Sequence, residues 1–418
     1  MLPQSVGEVD DARSRAAAIK DYVLDHLADL LPAFEAKCQE RGIRVHWARD
    51  AAEARSIIGS LVPEGSRVVK AKSMATEEIH LNAYLESERK AHVVETDLGE
   101  YVVQLDGDTP SHIVTPIIHK SLQQVAKTFE REGIGAYTED AETLTMQARE
   151  KLRTEFHAAQ VGISGVNFGI AESGRLVLVE NEGNNRYSTT APRIHIALMG
   201  IEKLLPRDAD LPLFLRLLCA SATGQQMGTY IHFLAGPRKA DEPDGPDEVH
   251  LVLLDNGRSA LLDGHYREIL RCIRCGACLN VCPVYRQSSG HAYGHVYSGP
   301  VGAVLAPNLD GLPAYGHLAK ASSLCGACEE VCPVKIPIPR MLLHLRDEGV
   351  RAGAIHEQAP WSLFAWGATR PWAWKAGLKA MPVASMAPHP MKWAWTEFHE
   401  PPKREGRDFR SWWKQEGK

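Results

Sequence analysis

Two short cysteine motifs constrain this chain more than any other feature of its sequence. Residues 272–283 read CIRCGACLNVCP, and residues 322–333 read SSLCGACEEVCP. Three cysteines of each copy coincide on alignment: Cys275 with Cys325, Cys278 with Cys328, and Cys282 with Cys332. Cys272, however, falls on Ser322. The repeat therefore holds an odd number of cysteines, and its second copy lacks the first of them.

The spacing of the first copy, C-x2-C-x2-C-x3-C-P, is that of a bacterial two-cluster ferredoxin. Three thiolates two residues apart can wrap a short loop around a cubane, and the small residues Gly276 and Ala277 let backbone N–H groups approach its sulfides. Pro283 has no N–H to donate and ends the loop. Structural zinc is the alternative, but it favours two separated cysteine pairs. The spacing predicts two iron–sulfur clusters, each expected to be [4Fe–4S].

In such ferredoxins the fourth cysteine of each motif ligates the other cluster. Cluster 1 is therefore predicted to have four ligands: Cys272, Cys275, Cys278 and Cys332. Cluster 2 is predicted to have three: Cys282, Cys325 and Cys328. Ser322 or Ser323 could complete it through oxygen, although an alkoxide is an unusual ligand beside soft thiolates. Loss of one iron to give [3Fe–4S], a remote thiolate, a ligand from a partner, and serines that are merely loop residues all stay open.

Composition narrows the class of protein. The net charge of −5 and pI of about 6.4 give no reason to expect nucleic-acid binding. No apolar run reaches the roughly 18 residues of a membrane helix, and the first residues lack the apolar core of a signal peptide. Seven of the nine cysteines lie between residues 272 and 332, which indicates metal rather than disulfides. Cys38 and Cys219, outside the repeat, are expected to be buried apolar residues. A cytoplasmic protein is predicted.

Periodicity divides the rest of the chain. Residues 1–39 are predicted to contain one long amphipathic helix over 10–38. Residues 40–255 alternate β-rich and helical runs, which predicts an α/β domain with a mostly parallel sheet. Within it, YVVQL (101–105) and SHIVTPI (111–117) are expected to be strands.

Residues 256–350 form a predicted two-cluster domain, and 351–418 a tryptophan- and proline-rich basic segment. Residues 361–418 contain eight of the nine tryptophans and ten basic against five acidic residues. The tryptophans are Trp361, Trp366, Trp372, Trp374, Trp393, Trp395, Trp412 and Trp413. They could anchor a partner protein, which we favour, or contact the inner face of the membrane peripherally, or pack on their own domain.

Several stretches, taken in order, resemble one known family. They are SMATEEI (73–79), ETDLGEYVVQL (95–105), NEGNNRYSTT (181–190), LDNGRS (254–259), CIRCGACLNVCPVYR (272–286), GHAYGHVYSGPVGAVL (290–305) and SLCGACEEVCPVKIPIP (323–339). In this order they look like the LutB/YkgF-type lactate-utilisation iron–sulfur proteins, and the resemblance covers nearly the whole chain. It implies a LUD-type α/β domain with a NagB/RpiA-like fold, followed by an α-helical ferredoxin-like domain.

The resemblance also implies a function. Members of this family belong to a three-protein complex that oxidises L-lactate to pyruvate. The other subunits are a cysteine-rich, heterodisulfide-reductase-like protein and a small LUD-domain protein. The seven-cysteine pattern is the family's own, so Ser322 does not mark a degenerate site.

Outside the cysteines, no catalytic residue can be assigned. We find no G-x-G-x-x-G after a strand and no P-loop, although lactate oxidation releases an electron pair that flavin or nicotinamide normally splits. The chain is therefore expected to be inactive alone and to pass electrons to a downstream acceptor. A small anion could bind at a strand–helix junction that holds Lys70, Lys72, Ser73 and Thr76, with Thr76 as a plain helix cap as the alternative.

Two further groups of polar residues are candidates with ordinary alternatives. The turn-rich segment 172–189 concentrates Glu172, Asn181, Asn184, Asn185, Arg186 and Thr189, whose presence turn chemistry alone could explain. His112, His119 and His195 could accept a proton from a hydroxyl, though a structural role is the better expectation for each. His291 and His295 could tune a cluster or face solvent.

Three functions compete at this stage. The chain is an electron-transfer subunit, a catalytic subunit that binds lactate or a related carboxylate in its LUD domain, or a scaffold with structural clusters. The crossed cysteine motifs favour electron transfer.

Overall fold

The computed structural model describes residues 6–354, 361–384 and 409–417. The chain divides into two compact units, residues 1–355 and residues 356–418. The α/β region and the cysteine repeat lie in the same unit. The predicted boundaries at 39/40 and 255/256 therefore fall inside one unit, and they stay predictions.

The strands are β1 Arg44–Ala48, β2 Arg67–Lys70, β3 His92–Glu95, β4 Val161–Gly165, β5 Phe168–Ile170, β6 Arg175–Glu180, β7 Ile194–Gly200, β8 Leu204–Leu205, β9 Tyr230–Leu234 and β10 Glu248–Leu254. The helices of the first unit are α1 Val6–Asp25, α2 Leu27–Glu40, α3 Ala51–Leu61, α4 Met74–Glu78, α5 Leu81–Glu88, α6 Leu98–Leu105, α7 Leu122–Arg131, α8 Ala141–Ala158, α9 Asn184–Thr190, α10 Leu211–Thr223, α11 Ala277–Val281, α12 Pro283–Ser288, α13 Gly299–Leu309, α14 Leu312–Tyr315, α15 Ala327–Glu330 and α16 Ile338–Arg351.

The main sheet has six strands in the order β1-β10-β7-β4-β2-β3, and every pair is parallel. Helices cover it, so the central strands are buried on both faces and read as apolar runs such as HLVLL in β10. This confirms the predicted LUD domain with its mostly parallel sheet. A smaller mixed sheet, β8-β5-β6-β9, packs in the same core.

The predicted helix over residues 10–38 is wrong in one respect, because the structure has two helices that meet at His26. Pro32 lies inside α2. It has no N–H to donate to the carbonyl of Ala28, and its ring crowds that carbonyl. The break lies two residues before Ala28.

The predicted strand at 101–105 is also wrong, since these residues belong to α6. Asp97 caps this helix by accepting a hydrogen bond from the N–H of Glu100. Tyr101, Val102 and Val103 are all buried, so the sequence shows no alternation that separates helix from strand.

The predicted strand at 111–117 is an irregular loop. Proline at 110 and 116 removes two backbone donors that a strand would need, and the N–H of Ser111 bonds the carbonyl of Pro116. Residues 109–117 belong to the α/β region and pack on the cysteine repeat. We call this segment the LUD loop.

The second unit contains α17 Trp361–Ala368, α18 Pro371–Ala384 and α19 Phe409–Glu416. Among its described side chains, Trp366, Trp372, Trp374, Trp412 and Trp413 are exposed. The side chain of Trp361 and the whole of Trp393 and Trp395 lie outside the described residues. The prediction of a partner-binding tail therefore stays a prediction. Within the described ranges, no helix combines the length and apolarity needed to cross a bilayer.

Candidate iron–sulfur centre

The two cysteine loops share one backbone conformation. Arg274 and Leu324, fifty residues apart, have φ angles of 61° and 55°. Gly276 and Gly326 follow with φ angles of 75° and 86°. A short helix begins directly after each glycine. Non-glycine residues rarely adopt positive φ, so its occurrence at the same place in both loops is informative. The sequence repeat is therefore also a structural repeat.

Four thiols of the repeat line one apolar cavity. They are Cys272, Cys275, Cys278 and Cys332, and the apolar side chains around them include Ile113, Val301 and Ile336. Burial, helped by the nearby Cys272 and Cys332 thiolates, raises the pKa of Cys275 to about 12. Thiolates packed in an apolar space are unfavourable unless a positively charged group neutralises them. The donor set, four soft sulfur ligands, fits an iron–sulfur cluster.

The other three thiols of the repeat form a second set that reaches the surface. Burial, together with the neighbouring Cys282 and Cys325 thiolates, raises the pKa of Cys328 to about 11. Cys282 and Cys328 are buried, whereas Cys325 is exposed. Four thiols thus line one cavity and the other three lie near one another, and this donor chemistry fits iron and sulfide, while the assignment of thiols to clusters stays a prediction.

Ser322 holds the place of the missing thiol. In the first copy, the N–H of Arg274 donates to Cys272 Sγ over 3.4 Å. In the second, the N–H of Leu324 donates to Ser322 Oγ over 3.1 Å. Ser323 instead contacts Cys325, whose pKa is lowered by hydrogen bonds from the Ala327 N–H and from Ser323. Both serines are therefore next to the second set, and none of the open alternatives is excluded.

Helix α1 is bound to the second cysteine loop, a contact that sequence reasoning missed. Arg13 Nε donates to the carbonyl of Cys332 over 2.8 Å, and its Nη2 donates to the carbonyl of Glu329 over 3.0 Å. Lys335 pairs with Asp10 at 2.9 Å. A basic residue on an amphipathic helix carries no local signal for such a distant partner.

The LUD loop lies against the first cysteine loop. A Cβ on Gly276 would lie 3.1 Å from Val114 Cγ2 and 3.3 Å from His112 Cε1, so glycine allows this close approach. His112 Nε2 lies 3.2 Å from Asn280 Oδ1. Burial lowers the pKa of His112 to about 4, so the ring is neutral at pH 7. The structure therefore places His112 beside the first cysteine loop.

The remaining candidate histidines have structural or surface partners. His195 lies within β7, where burial lowers its pKa to about 3 and Ser164 Oγ is 2.8 Å from its Nε2. His119 Nε2 bonds Asp108 at 2.9 Å, and His291 Nε2 bonds the carbonyl of Thr109 at 2.7 Å. His295 Nε2 bonds Asp310 at 2.7 Å.

The predicted strand–helix anion site is mostly occupied by protein groups. Lys70 is fully buried and pairs with Glu77 at 2.9 Å and Glu95 at 2.8 Å. The cap of α4 is Ser73 rather than Thr76, because Ser73 Oγ accepts the N–H of Thr76. Helix α4 has five residues, which is too short for a strong dipole. Of the four candidate residues only Lys72 lines a cavity without a hydrogen-bonded partner among the described residues.

The candidates at 172–189 divide in the same way. Asn181, Asn184 and Asn185 line that cavity. Glu172 accepts from the N–H of Asp208, and Thr189 bonds the carbonyl of Asn185 within α9. The backbone N–H of Arg186 donates to Glu180 at the start of α9. Hydrogen bonds of this kind are the local turn chemistry that was the alternative to a binding role for these residues.

A buried ion network joins the α/β region to the repeat, and it too was missed. Arg258 bonds Glu78 at 2.7 Å and Glu202 at 2.8 Å, with all three side chains almost fully buried. Tyr297, from the segment before α13, donates to Glu78 over 2.6 Å. The guanidinium of Arg274 stacks on the Tyr297 ring at 4.7 Å. The stretch LDNGRS carries part of the family resemblance, but no local sequence pattern shows that its arginine, Arg258, is buried.

Comparison with known families agrees with this architecture. Residues 31–254 match the LUD domain, residues 268–336 match the 4Fe-4S dicluster domain, and residues 337–418 match Lactate utilisation protein B, C-terminal. Fold and site together define an LUD-domain protein that carries a 4Fe–4S dicluster domain.

Curated relatives match over the full length. A protein named Lactate utilization protein B from Anoxybacillus flavithermus is 43% identical, over 99% of this chain and 91% of the relative. Escherichia coli has an Uncharacterized electron transport protein YkgF that is 42% identical, over 99% of this chain and 90% of the relative. The chain belongs to the LutB/YkgF family of lactate utilisation proteins. A crystal structure of a DUF162 family protein from Deinococcus radiodurans covers 55% of this chain and 98% of its own, at 12% identity and a TM-score of 0.32.

Proposed function

We propose that this chain is the iron–sulfur electron-transfer subunit of a three-protein complex that oxidises L-lactate to pyruvate. The observation that carries the proposal is that four thiols, buried or half-buried, line one cavity, while the other three lie near one another and reach solvent at Cys325. Its relatives are named for lactate utilisation and electron transport. A buried site connected to a surface site is the arrangement that an electron path needs.

The ligand assignment is part of this proposal. Cys272, Cys275, Cys278 and Cys332 hold cluster 1, and Cys282, Cys325 and Cys328 hold cluster 2. When bound, such clusters supply one-electron transfer at potentials set by charge, hydrogen bonds and exposure. The backbone N–H groups of Arg274, Tyr285 and Ile336 donate to three of the thiols and stabilise them as thiolates.

The rest of the reaction is assigned to partners. Lactate oxidation releases two electrons and two protons, so a two-electron cofactor elsewhere in the complex has to split the pair. The proposed partners are the heterodisulfide-reductase-like cysteine-rich subunit and the small LUD-domain subunit. The exposed Cys325 set is where a partner or acceptor would approach. A NagB/RpiA-like ancestry for the parallel sheet belongs to the same proposal.

A second candidate function is lactate binding by this chain itself. It is favoured by a polar cavity in the LUD domain that Lys72 lines. His195, the other residue considered for that role, is inside the sheet and does not line this cavity. A scaffold with redox-inactive clusters is the remaining alternative.

The test begins with anaerobic purification and analysis of iron, sulfide and zinc. Electron paramagnetic resonance of the oxidised and dithionite-reduced chain then counts the clusters. We expect iron and sulfide sufficient for two clusters, and reduction by L-lactate only when both partner subunits are present. D-lactate is the matched control.

Three outcomes would contradict the proposal. Zinc without sulfide would exclude the clusters. Clusters that dithionite cannot reduce would favour the scaffold. Reduction by L-lactate in the isolated chain would transfer catalysis to this subunit.

A further inference from the structure

A cavity lies where the LUD domain meets the first cysteine loop. It has a volume of about 260 Å³, and its lining includes three cationic residues from separate segments, Lys72, Lys203 and Arg274. Lys72 follows β2, Lys203 follows β7, and Arg274 stands between Cys272 and Cys275. Three cations around one space indicate a site for an anion.

Two of these cations have buried nitrogen atoms without a hydrogen-bond acceptor among the described residues. They are Nζ of Lys72 and both Nε and Nη1 of Arg274. The Arg274 side chain is only 8% exposed. Its Nη2 reaches Glu202 at 3.4 Å, and its face lies on Tyr297, so Nε and Nη1 are left for an anion or for the sulfur of cluster 1. Leaving charged donors unpaired in a buried site is costly, and an anion would remove that cost.

Nearby carboxyl groups do not neutralise Lys72. Glu100 is the nearest, with its Oε1 3.8 Å from Lys72 Nζ. Burial raises the pKa of Glu100 to about 8, so this group is largely protonated at pH 7. It leaves the ammonium of Lys72 uncompensated.

The acidic residues that also line the cavity already have partners. Glu180 pairs with His232 and accepts the backbone N–H of Asn185. Asp97 caps α6, and Glu182 accepts the N–H of Leu98. The cavity is therefore polar throughout, but its unsatisfied groups are the cations.

The cavity is separated from the buried thiols by a single layer of residues. Arg274 and Ile113 line both this cavity and the cavity of Cys272, Cys275, Cys278 and Cys332. An anion held by Arg274 would lie directly next to the first cysteine set.

We propose that Lys72, Lys203 and Arg274 bind a small carboxylate at the junction of the LUD domain and the first cysteine loop. The choice of L-lactate as the carboxylate rests on the proposed function, whereas the anion site stands on the three cations. The carboxylate accepts hydrogen bonds from the lysines and the guanidinium. Asn181, which also lines the cavity, offers an amide to a hydroxyl or keto group.

The binding test uses the anaerobically purified full chain with its clusters. Isothermal titration calorimetry compares L-lactate, pyruvate and inorganic phosphate at pH 7. We expect the carboxylates to bind, Lys72→Gln and Lys203→Gln each to weaken binding about tenfold or more, and Lys72→Arg to retain most of it. Lys127→Gln is the control, because Lys127 is exposed on α7 and should leave binding unchanged.

Iron content and circular dichroism establish that each variant is folded and loaded. Lys203 donates to the carbonyl of Val166 over 2.9 Å, so its variant is the more sensitive of the two. The Lys72 variant keeps the test decisive if the Lys203 variant does not fold. A second readout is the midpoint potential of the cluster signals, which a carboxylate beside Arg274 should lower because negative charge disfavours reduction.

Three results would overturn the inference: no carboxylate binding, binding that both lysine variants retain, or phosphate binding as tight as that of the carboxylates. Each leaves the proposed function intact if L-lactate still reduces the clusters in the presence of the partners. Conversely, carboxylate binding with clusters that lactate never reduces would keep the site and refute the electron-transfer role.

Discussion

At the scale of single residues, Ser322 and Cys272 are interchangeable in backbone terms. The side chain of each accepts a hydrogen bond from the backbone N–H two residues later in the chain, and that donor residue has a positive φ in both loops. The loop around Ser322 thus already has the shape that holds a ligating thiolate in the first copy. Side-chain chemistry, rather than loop geometry, limits the second set to three cysteines.

Ser322→Cys should therefore supply the missing thiolate of cluster 2. If cluster 2 is a three-iron cluster, its oxidised signal should disappear and the iron content should rise by about one atom per chain; if it is a four-iron cluster, the iron content should stay the same and its spectrum should shift because a thiolate replaces the fourth ligand. Iron analysis and electron paramagnetic resonance of the anaerobic protein measure both effects. Ser87→Cys, on the exposed face of α5, is the control and should change neither. An unchanged spectrum for Ser322→Cys would mean that cluster 2 already has a fourth ligand that a thiolate cannot replace.

At the scale of elements, the sequence predicts those parts of the structure whose signal is local. Alternation of β-rich and helical runs predicts the parallel sheet, and the cysteine spacing predicts the 4Fe–4S dicluster domain. The run at 101–105 was misassigned because burial on every side removes the periodicity that separates α6 from a strand. The irregular LUD loop follows from Pro110 and Pro116, which remove backbone donors, whereas the break at His26 has no local sequence signal.

The less predictable part of the candidate site consists of contacts between distant segments. The hydrogen bonds that carry this part of the site join residues 37 or more positions apart in the chain. They run from Arg13 to Cys332, from Lys203 to Val166 and from Arg274 to Glu202. A single arginine or lysine reads as an exposed charge until its neighbours are known. The sequence places Arg274 in the first cysteine loop, but only the fold brings Arg13 and Lys203 close to the cysteine loops.

Helix α9 packs so closely on β4 that one added methyl group should disrupt the contact. A Cβ on Gly162 would lie 1.8 Å from the carbonyl oxygen of Ser188, and backbone cannot move as a side chain can. Gly162→Ala should lower the free energy of unfolding by about 3 kcal/mol or more, the upper range for overpacking. Gly264→Ala is the control, since its Cβ would meet nothing nearer than 3.8 Å. Urea denaturation followed by circular dichroism compares them, and equal stabilities would contradict the close packing.

At the scale of the whole molecule, the LUD domain and the cysteine repeat share one compact unit and one buried ion network. Glu78 and Glu202 come from the α/β region, whereas Arg274 comes from the first cysteine motif and Tyr297 from the segment between the two motifs. Arg258 lies at the centre and bonds both carboxylates. A fold organised in this way should lose its sheet and its clusters together rather than in separate steps.

Arg258→Met tests that coupling, because it keeps an apolar stem and removes the charge between two buried carboxylates. Breaking a buried pair in this way costs about 3–5 kcal/mol, since the remaining charges stay uncompensated. We expect the thermal midpoints of the circular dichroism signal and of the cluster absorbance to fall together under anaerobic conditions. Arg207→Met is the matched control: its side chain is 66% exposed beside Asp210, so the loss should stay below about 1 kcal/mol. If the two midpoints separated, with the cluster absorbance unaffected, the LUD domain and the repeat would be independent folding units, and the network would not couple them.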